Sequence, residues 1–349
     1  MKSALVPPLT TPWSTPAATT TARRELEKAN LQLATGKHAD VGLVMGGRSD
    51  LLVDAHAQEV LLDGLLQDAV ISENRLQVIQ QSLQTITDDG HALVEALLPL
   101  RTGQAQPAVV AGQAKAALTA FTAALNATAA GSFIFGGQNL SEAPFADWFA
   151  DPPSAARTAV ENAFIARFGF PPGDPAAAGI TAADMQDFLD NDLAPLFDPP
   201  NWNTLWSKAT DEPMKTLISL NDVAPVTASA NDPAIRKLAM AYVMVAGLGI
   251  ETLGRAARDV VTDRAIETIN GAIAGINDLR GIIGVQEKRV SDAKDRLELQ
   301  KGWLEKQIAG MEQVDMHEMA MRVTDLSNKL EASYAITGRL QNLTLLKYL

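Results

Sequence analysis

The chain has 349 residues, no cysteine and a formal net charge of −12. The length suits about two or three domains, and the lack of cysteine excludes disulfides and thiolate metal sites. The negative charge argues against nucleic acid as a partner, because nucleic-acid binding relies on basic surfaces. Hydrophobic residues make up 47% of the chain and aromatic residues only 5%, a balance that favours long helices packed side by side.

The first 38 residues are predicted to be an N-terminal assembly and export segment that is partly disordered and then helical. Four prolines in the first sixteen residues are typical of a disordered start. The first helix is expected to begin between Thr15 and Ala22 and to end at Thr35, with Gly36 as its C-cap. The glycine-rich stretch Ala39–Asp54 is predicted to be an irregular linker.

Residues 39–140 are predicted to form the N-terminal helical leg of a core domain. From Ala55 to Leu98, apolar residues recur in steps of three and four, which indicates a helix that packs along its whole length. These residues are Leu62, Leu65, Ala69, Leu76, Ile79, Leu83, Ile86, Leu93 and Leu97. Pro99 is expected to end this helix, and an alanine-rich helix is predicted over Pro107–Ala130.

Residues 141–231 differ in character and are predicted to form a smaller, proline-rich inserted domain. Frequent prolines interrupt helices there, and the best short helices are Ala155–Arg167 and Thr181–Asp192. Three of the five tryptophans, Trp148, Trp202 and Trp206, lie in this segment. Aromatic residues at helical spacing are more often part of a core than a ligand platform.

Helical periodicity resumes at Asp232, and residues 232–312 are predicted to form the C-terminal leg of the core domain. The apolar stretch Leu238–Ile250 is shorter than the roughly 20 residues that cross a bilayer, so it is interpreted as a buried helix and no membrane insertion is expected. Gly247, Gly249 and Gly254 lack dinucleotide-binding spacing and are interpreted as part of the helical pattern.

The last segment, residues 313–349, is predicted to be an amphipathic assembly helix. Met319, Val323, Leu326, Leu330, Ser333, Thr337 and Leu340 follow one another in alternating steps of four and three. That spacing places side chains on one face of a helix. The apolar character continues to Leu349, and an apolar end of this kind needs a partner to cover it.

No residue pattern predicts catalysis, a cofactor or a metal site. The four histidines, His38, His56, His91 and His317, are far apart in sequence and lack the HExxH frame. Neighbouring acids such as Asp88 and Asp89 are interpreted as surface charge rather than a catalytic pair. The chain is therefore predicted not to be an enzyme.

Three segments resemble the bacterial flagellin superfamily. The C-terminal run Leu330–Ile336, followed by Leu340–Leu349, is similar to the family's L-x-A-S-Y segment and leucine-rich end. Leu33–Lys37 resembles the turn before the family's first long helix. Gly131–Gly137 with the pair Pro144-Phe145 resembles the branch of the family found at the hook–filament junction.

The resemblance implies a mainly α fold, in which N- and C-terminal segments form a long antiparallel helical hairpin or coiled coil. It also implies a structural component of the bacterial flagellum that assembles at the hook–filament junction with copies of itself, flagellin and other hook-associated proteins. Export without a cleaved signal peptide, an extracellular location and an export chaperone follow as expectations. The expected assembly residues are Leu26, Leu33, Val323, Leu326, Leu330, Tyr334, Ile336, Leu340, Leu343, Leu346 and Leu349.

Two alternatives remain open from the sequence. The chain could be the filament flagellin itself, because that protein shares the fold and the termini. The insert could instead serve a carbohydrate-binding or hydrolytic surface protein, which predicts a concave pocket holding Trp148, Trp202 or Trp206 beside acidic residues.

Overall fold

A computed structural model describes residues 15–342 of the chain, with side chains from residue 19 to residue 339. The fold is mainly α, as predicted. The helices are α1 (Thr15–Thr35), α2 (Val41–Met45), α3 (Ser49–Arg101), α4 (Pro107–Leu125), α5 (Ala155–Phe168), α6 (Ala182–Asp187), α7 (Asn201–Leu205), α8 (Pro233–Gly247), α9 (Arg255–Glu312) and α10 (Met316–Asn342). The strands form two antiparallel hairpins, β1 (Thr128–Ala129) with β2 (Ser132–Phe133) and β3 (Lys215–Ser219) with β4 (Asp222–Pro225).

The chain divides into two compact units. The first comprises the described residues up to Asp63 and from Leu299 onward, and the second comprises Gly64–Glu298. The second unit includes the insert together with most of both predicted legs. The division of the chain into the five predicted segments stays a prediction.

In the second unit, α3 and α9 run antiparallel. Ion pairs join Glu73 to Lys294 at 2.6 Å and Arg101 to Asp263 at 2.6 Å, so the numbering falls along one helix as it rises along the other. Eight of the nine apolar positions predicted on α3 are buried and the ninth, Leu62, is half-buried. The period of the apolar residues therefore predicted correctly which face of α3 packs inward.

The insert shares its hydrophobic core with α3, α4 and α8. Phe145 lies with its ring centroid 5.5 Å from that of Phe121 on α4 and 6.0 Å from that of Trp206. The segment Gly131–Gly137 contacts the far end of the insert through backbone bonds: the Gly137 amide donates to Ala228 at 3.0 Å and the Thr210 amide donates to Gly136 at 3.1 Å.

Several predicted boundaries need correction. The stretch 39–54 is not irregular throughout, because the Asp40 carboxylate accepts a bond from the Leu43 amide at 2.9 Å and caps α2. Pro99 does not end α3 but lies in its last turn, and the helix continues to Arg101. Helix α4 stops at Leu125, five residues before the predicted end, and Asn126 then exchanges two side-chain hydrogen bonds with the backbone of Phe145.

The interpretation of Gly249 and Gly254 as helical is wrong, because residues 248–254 separate α8 from α9. Gly249 has a φ of +66°, and a Cβ built there would lie 2.5 Å from the backbone nitrogen of Gly173 in the insert. A side chain is excluded both by the backbone conformation and by this close approach. Periodicity could not reveal the break, since the cause lies in a segment about 75 residues away along the chain.

Among the described residues, one helix, α4, is long and apolar enough to cross a membrane by length and composition. A core helix of a soluble protein passes the same test, and α4 buries Val110, Ala114, Leu118 and Phe121 in the core. Helix α8 contains most of the stretch Leu238–Ile250 that was predicted to be a buried helix, and it buries ten of its fifteen residues.

Gly249→Ala is expected to lower the free energy of unfolding by about 1–3 kcal/mol, because it adds a Cβ at positive φ against the insert backbone. Gly112→Ala is the matched control. Gly112 lies inside α4 with open space around it, so the same added methyl group should raise stability by about 0.5–1 kcal/mol. Chemical denaturation of the two variants measures both effects, and a neutral Gly249→Ala would contradict the close packing of the break.

Candidate assembly surface

The predicted assembly residues that the structure describes lie in the first unit, where α1 packs along α10. On both helices the side chains at the contact follow one another in steps of three and four, the spacing of a coiled-coil seam. Ala29, Met319 and Leu330 are buried in this seam. Leu26, Leu33, Val323 and Leu326 are half-buried beside them.

The two helices run antiparallel, and a short antiparallel backbone pairing between Lys37 and Gln313 holds the end of α1 beside the start of α10. The Gly36 carbonyl, just after α1, accepts a bond from the Val314 amide at 3.0 Å, and the His38 amide donates to the Glu312 carbonyl at 2.8 Å. Further along the pair, Glu25 lies 3.3 Å from Arg322. This exposed ion pair fixes orientation more than stability. The segment Leu33–Lys37 thus holds the end of α1 against the start of α10 through backbone hydrogen bonds.

Glu312, the last residue of α9, has a buried carboxylate next to this backbone pairing. One oxygen, Oε2, lies 2.6 Å from the Lys37 ammonium, and the other, Oε1, lies 2.8 Å from Nε2 of His56 on α3. The second ring nitrogen of His56, Nδ1, lies 3.0 Å from Glu59. The side chain of Glu312 is 10% exposed, so its charge depends on these two partners. We call Lys37, His56, Glu59 and Glu312 the hinge cluster.

The hydrogen bonds and charges of the hinge cluster shift its titrations. The bonds from Lys37 and His56 lower the pKa of Glu312, while the bonds to Glu312 and Glu59 raise the pKa of His56. Protonated His56 can donate from both ring nitrogens, one to each carboxylate. At the start of α10, the backbone amides of Glu318 and His317 bond to Asp315 and lower its pKa.

The structure separates the predicted assembly residues into three groups. Leu26, Leu33, Val323, Leu326 and Leu330 face the seam within the chain. Tyr334 and Ile336 are 57% and 55% exposed. Leu343, Leu346 and Leu349 lie outside the described residues, as does the side chain of Leu340.

Tyr334 and Ile336 lie on opposite sides of the seam. At 100° per residue, Tyr334 is displaced by about 60° to one side of the buried stripe and Ile336 by about 100° to the other. Leu31 on α1 and Met321 on α10, at 51% and 68% exposure, face away from the seam. The sequence prediction did not include these two residues, because it followed only the stripe with a regular period.

The first unit exposes further apolar side chains that the sequence prediction missed. Val53 and Val60 on α3, and Leu299 and Trp303 on α9, are each more than 60% exposed. A signal was available in the sequence, since each helix carries a second apolar series beside its buried one. Only burial shows which series is left uncovered.

The alternative of a carbohydrate-binding or hydrolytic insert predicted a concave pocket lined by tryptophan, and this prediction is wrong. Trp148, Trp202 and Trp206 are at most 3% exposed, and the rings of Trp148 and Trp206 stack on each other with centroids 5.6 Å apart. The indole nitrogens of Trp202 and Trp206 bond to Asn231 and to the Leu196 carbonyl, each at 3.0 Å. These rings form core, as their spacing suggested. Within residues 15–342, no group of three or more His, Asp or Glu side chains could hold a metal ion.

Comparisons with known proteins agree with this architecture. The family described as "Bacterial flagellin C-terminal helical region" matches residues 266–349, which include most of α9 and all of α10. A protein from Vibrio parahaemolyticus, described as a flagellar hook-associated protein, has a similar fold with a TM-score of 0.50. The two share 8% sequence identity, and the similarity covers 76% of this chain and 97% of that one. No curated protein sequence matches the chain.

The resemblance to the flagellin superfamily is therefore confirmed. Residues 266–349 are similar to the flagellin C-terminal helical region, and this similarity covers about a quarter of the chain. These findings support a structural role in the bacterial flagellum.

The hinge cluster is expected to stabilise the start of α10 most strongly between about pH 4.5 and pH 6.5. The raised pKa of His56 contributes stability below its unfolded pKa, and this stability is lost as pH rises through the folded pKa. The lowered pKa of Glu312 contributes stability above its unfolded pKa, and this stability is lost as pH falls through the folded pKa. Amide hydrogen exchange in the first turns of α10, corrected for its intrinsic pH dependence, should be slowest in that window.

His56→Gln should remove the loss of protection on the alkaline side of this window. His317→Gln is the control, because His317 lies on the exposed face of α10 and only its backbone amide bonds to Asp315. If both variants kept the same profile as the unchanged chain, the hinge cluster would not govern the stability of α10.

Proposed function

We propose that this protein is a structural component of the bacterial flagellum that assembles at the hook–filament junction. The observation that carries the proposal is the exposed apolar surface of the α1–α10 pair, of which α10 lies within the region that matches the flagellin C-terminal family. The fold shared with a protein described as hook-associated supports the same location.

Assembly is the use that best suits this surface. Tyr334 and Ile336 flank the seam on opposite sides, so each can contact a different neighbouring molecule. Contacts between unlike surfaces build rings or open helical filaments rather than two-fold pairs. Fully burying a side chain such as Ile336 contributes about 1.5–3 kcal/mol. A few such residues in each subunit favour assembly only when several neighbours act together.

The same surface suggests the partners. Copies of the chain, flagellin and other hook-associated proteins would cover it in the assembled structure. Before assembly, an export chaperone would cover it and keep the chain competent for export without a cleaved signal peptide. The assembled protein would then be extracellular.

The filament subunit itself is the second candidate, because the two roles share the terminal helices. We prefer the junction role because the segment Gly131–Gly137 resembles the junction branch of the family. The same segment forms backbone hydrogen bonds to Thr210 and Ala228 of the insert. Deletion of the gene separates the two roles. Hooks without filaments, with unpolymerised flagellin secreted into the medium, are expected for a junction protein.

The decisive arm of the deletion experiment is complementation. If flagellin is still made and secreted but filaments return only when this chain is supplied, the junction role stands. Loss of all flagellin from the culture would instead identify this chain as the filament subunit, and normal filaments in the deletion strain would overturn both roles.

Replacing Tyr334 and Ile336 together by serine is expected to abolish assembly while leaving the folded monomer nearly unchanged. Both side chains are more than half exposed, so the free energy of unfolding should change by less than about 0.5 kcal/mol each. Sedimentation and electron microscopy measure assembly, and circular dichroism measures folding.

Two variants make that result interpretable. Leu330→Ser, at a buried seam position, should lower the helix content of the α1–α10 pair itself. Leu220→Ser, at a position 66% exposed in the second unit, should affect neither folding nor assembly. Normal assembly of the Tyr334/Ile336 double variant would contradict the proposed surface.

A further inference from the structure

Helix α9 carries an uncovered stripe in the first unit. Leu299 and Trp303 are 64% and 72% exposed and lie four residues apart, with Lys306 one step further along the same face. The ammonium of Lys306 forms no ion pair with any described residue. Tryptophan is among the residues most enriched at the energetic centres of protein interfaces. The exposed ring of Trp303 is therefore a candidate contact for another protein surface.

Helix α3 carries a second uncovered stripe in the same unit. Val53 and Val60 are 67% and 72% exposed, lie seven residues apart and follow Asp50 on one face. Asp54 is also exposed next to Val53. The segment Ser49–Asp63 contains no lysine or arginine, so the charged residues on this stripe itself are negative.

The two stripes do not cover each other within one chain. Helices α3 and α9 contact each other here through Ala55, Leu304 and Ile308. At 100° per residue, each stripe lies about 150° around its own helix from those contacts. Each stripe therefore points away from the helix that packs against it, and no described residue of the chain covers it.

The stripes are complementary rather than alike. One carries a large aromatic side chain and a cation, and the other carries small β-branched side chains and anions. A two-fold contact would pair a stripe with itself, so the charges that it brings together would all have one sign and would not favour the contact. A contact between unlike stripes pairs the opposite charges. It leaves one free α9 stripe at one end of the assembly and one free α3 stripe at the other, so further copies can add.

The helix directions fit the same contact. Within one chain, α3 and α9 run antiparallel in this unit, since Asp63 pairs with Lys301 at 2.5 Å while His56 pairs with Glu312. Two copies in the same orientation therefore present α9 of one antiparallel to α3 of the next. This is the arrangement that the two helices already use inside the chain.

We propose that Leu299, Trp303 and Lys306 of one copy pack against Asp50, Val53 and Val60 of a second copy placed beside it. The contact is head-to-tail, is independent of the α1–α10 surface and gives the assembly a second set of lateral bonds. The inference rests on the proposed self-assembly and names the residues that perform part of it.

The natural lack of cysteine makes this contact directly testable. Trp303→Cys and Val60→Cys are made in separate full-length chains, mixed under assembly conditions and treated with a short bis-maleimide. The expected product is a mixed dimer, with little dimer from either chain alone. Mixing Leu220→Cys with Trp303→Cys is the control, because Leu220 is equally exposed but lies in the second unit.

Each outcome decides a separate claim. Dimers of Trp303→Cys alone would show a two-fold contact and overturn the proposal. Chains that sediment as assemblies without any mixed dimer would overturn it while leaving the proposed function standing. Chains that never assemble would remove the proposed function as well.

A charge exchange tests the polar part of the contact. Lys306→Glu is expected to raise the concentration needed for assembly by about twofold to fivefold, the effect of one exposed ion pair. Adding Asp50→Lys in the same chain should restore it. Failure of the second substitution to restore assembly would count against the pairing of these two stripes.

Discussion

The architecture depends on apolar side chains that recur at the heptad period in segments far apart in the sequence. In the second unit, this period places Leu76, Ile79 and Leu83 of α3 in one core with Ile269, Ile276 and Ile283 of α9. In the first unit, the same rule pairs α1 with α10. A regular stripe buries surface without any specific bond, so its register must come from elsewhere.

Polar contacts supply that register. In the first unit, the backbone bonds around Gly36 and Val314 and the carboxylate of Glu312 fix where α1 and α10 meet. Among the side chains described between residues 19 and 339, the α1–α10 seam fully buries few, among them Ala29, Met319 and Leu330. Limited burial of this kind is typical of regions that open more easily than the core. A pair with limited burial can exchange internal contacts for contacts with neighbours, which suits a subunit that is exported before it assembles.

The limited burial of the α1–α10 pair bears on the exposed apolar residues of the first unit. Single exposed hydrophobic residues are normal on any protein surface. Here they form spaced series on helices of one unit: Tyr334 and Ile336 flank the seam, while Trp303 and Val60 lie on faces that the chain leaves uncovered. Assembly through several modest surfaces, each worth a few kcal/mol at most, is reversible at every step and strong when complete.

The sequence by itself determined the helical class, the inward face of α3, the burial of most of α8, the core role of Trp202 and Trp206, and the flagellin-type ending. These follow from periodicity and local residue chemistry, which act over a few turns of helix. Tertiary structure alone decided the break at Gly249, where residues of the insert leave no space for a side chain. It also decided the hinge cluster, because Glu312 lies 256 residues after His56 in the sequence and only the folded chain brings them together. Finally, it decided which apolar series stays uncovered, since exposure depends on what the rest of the chain brings alongside.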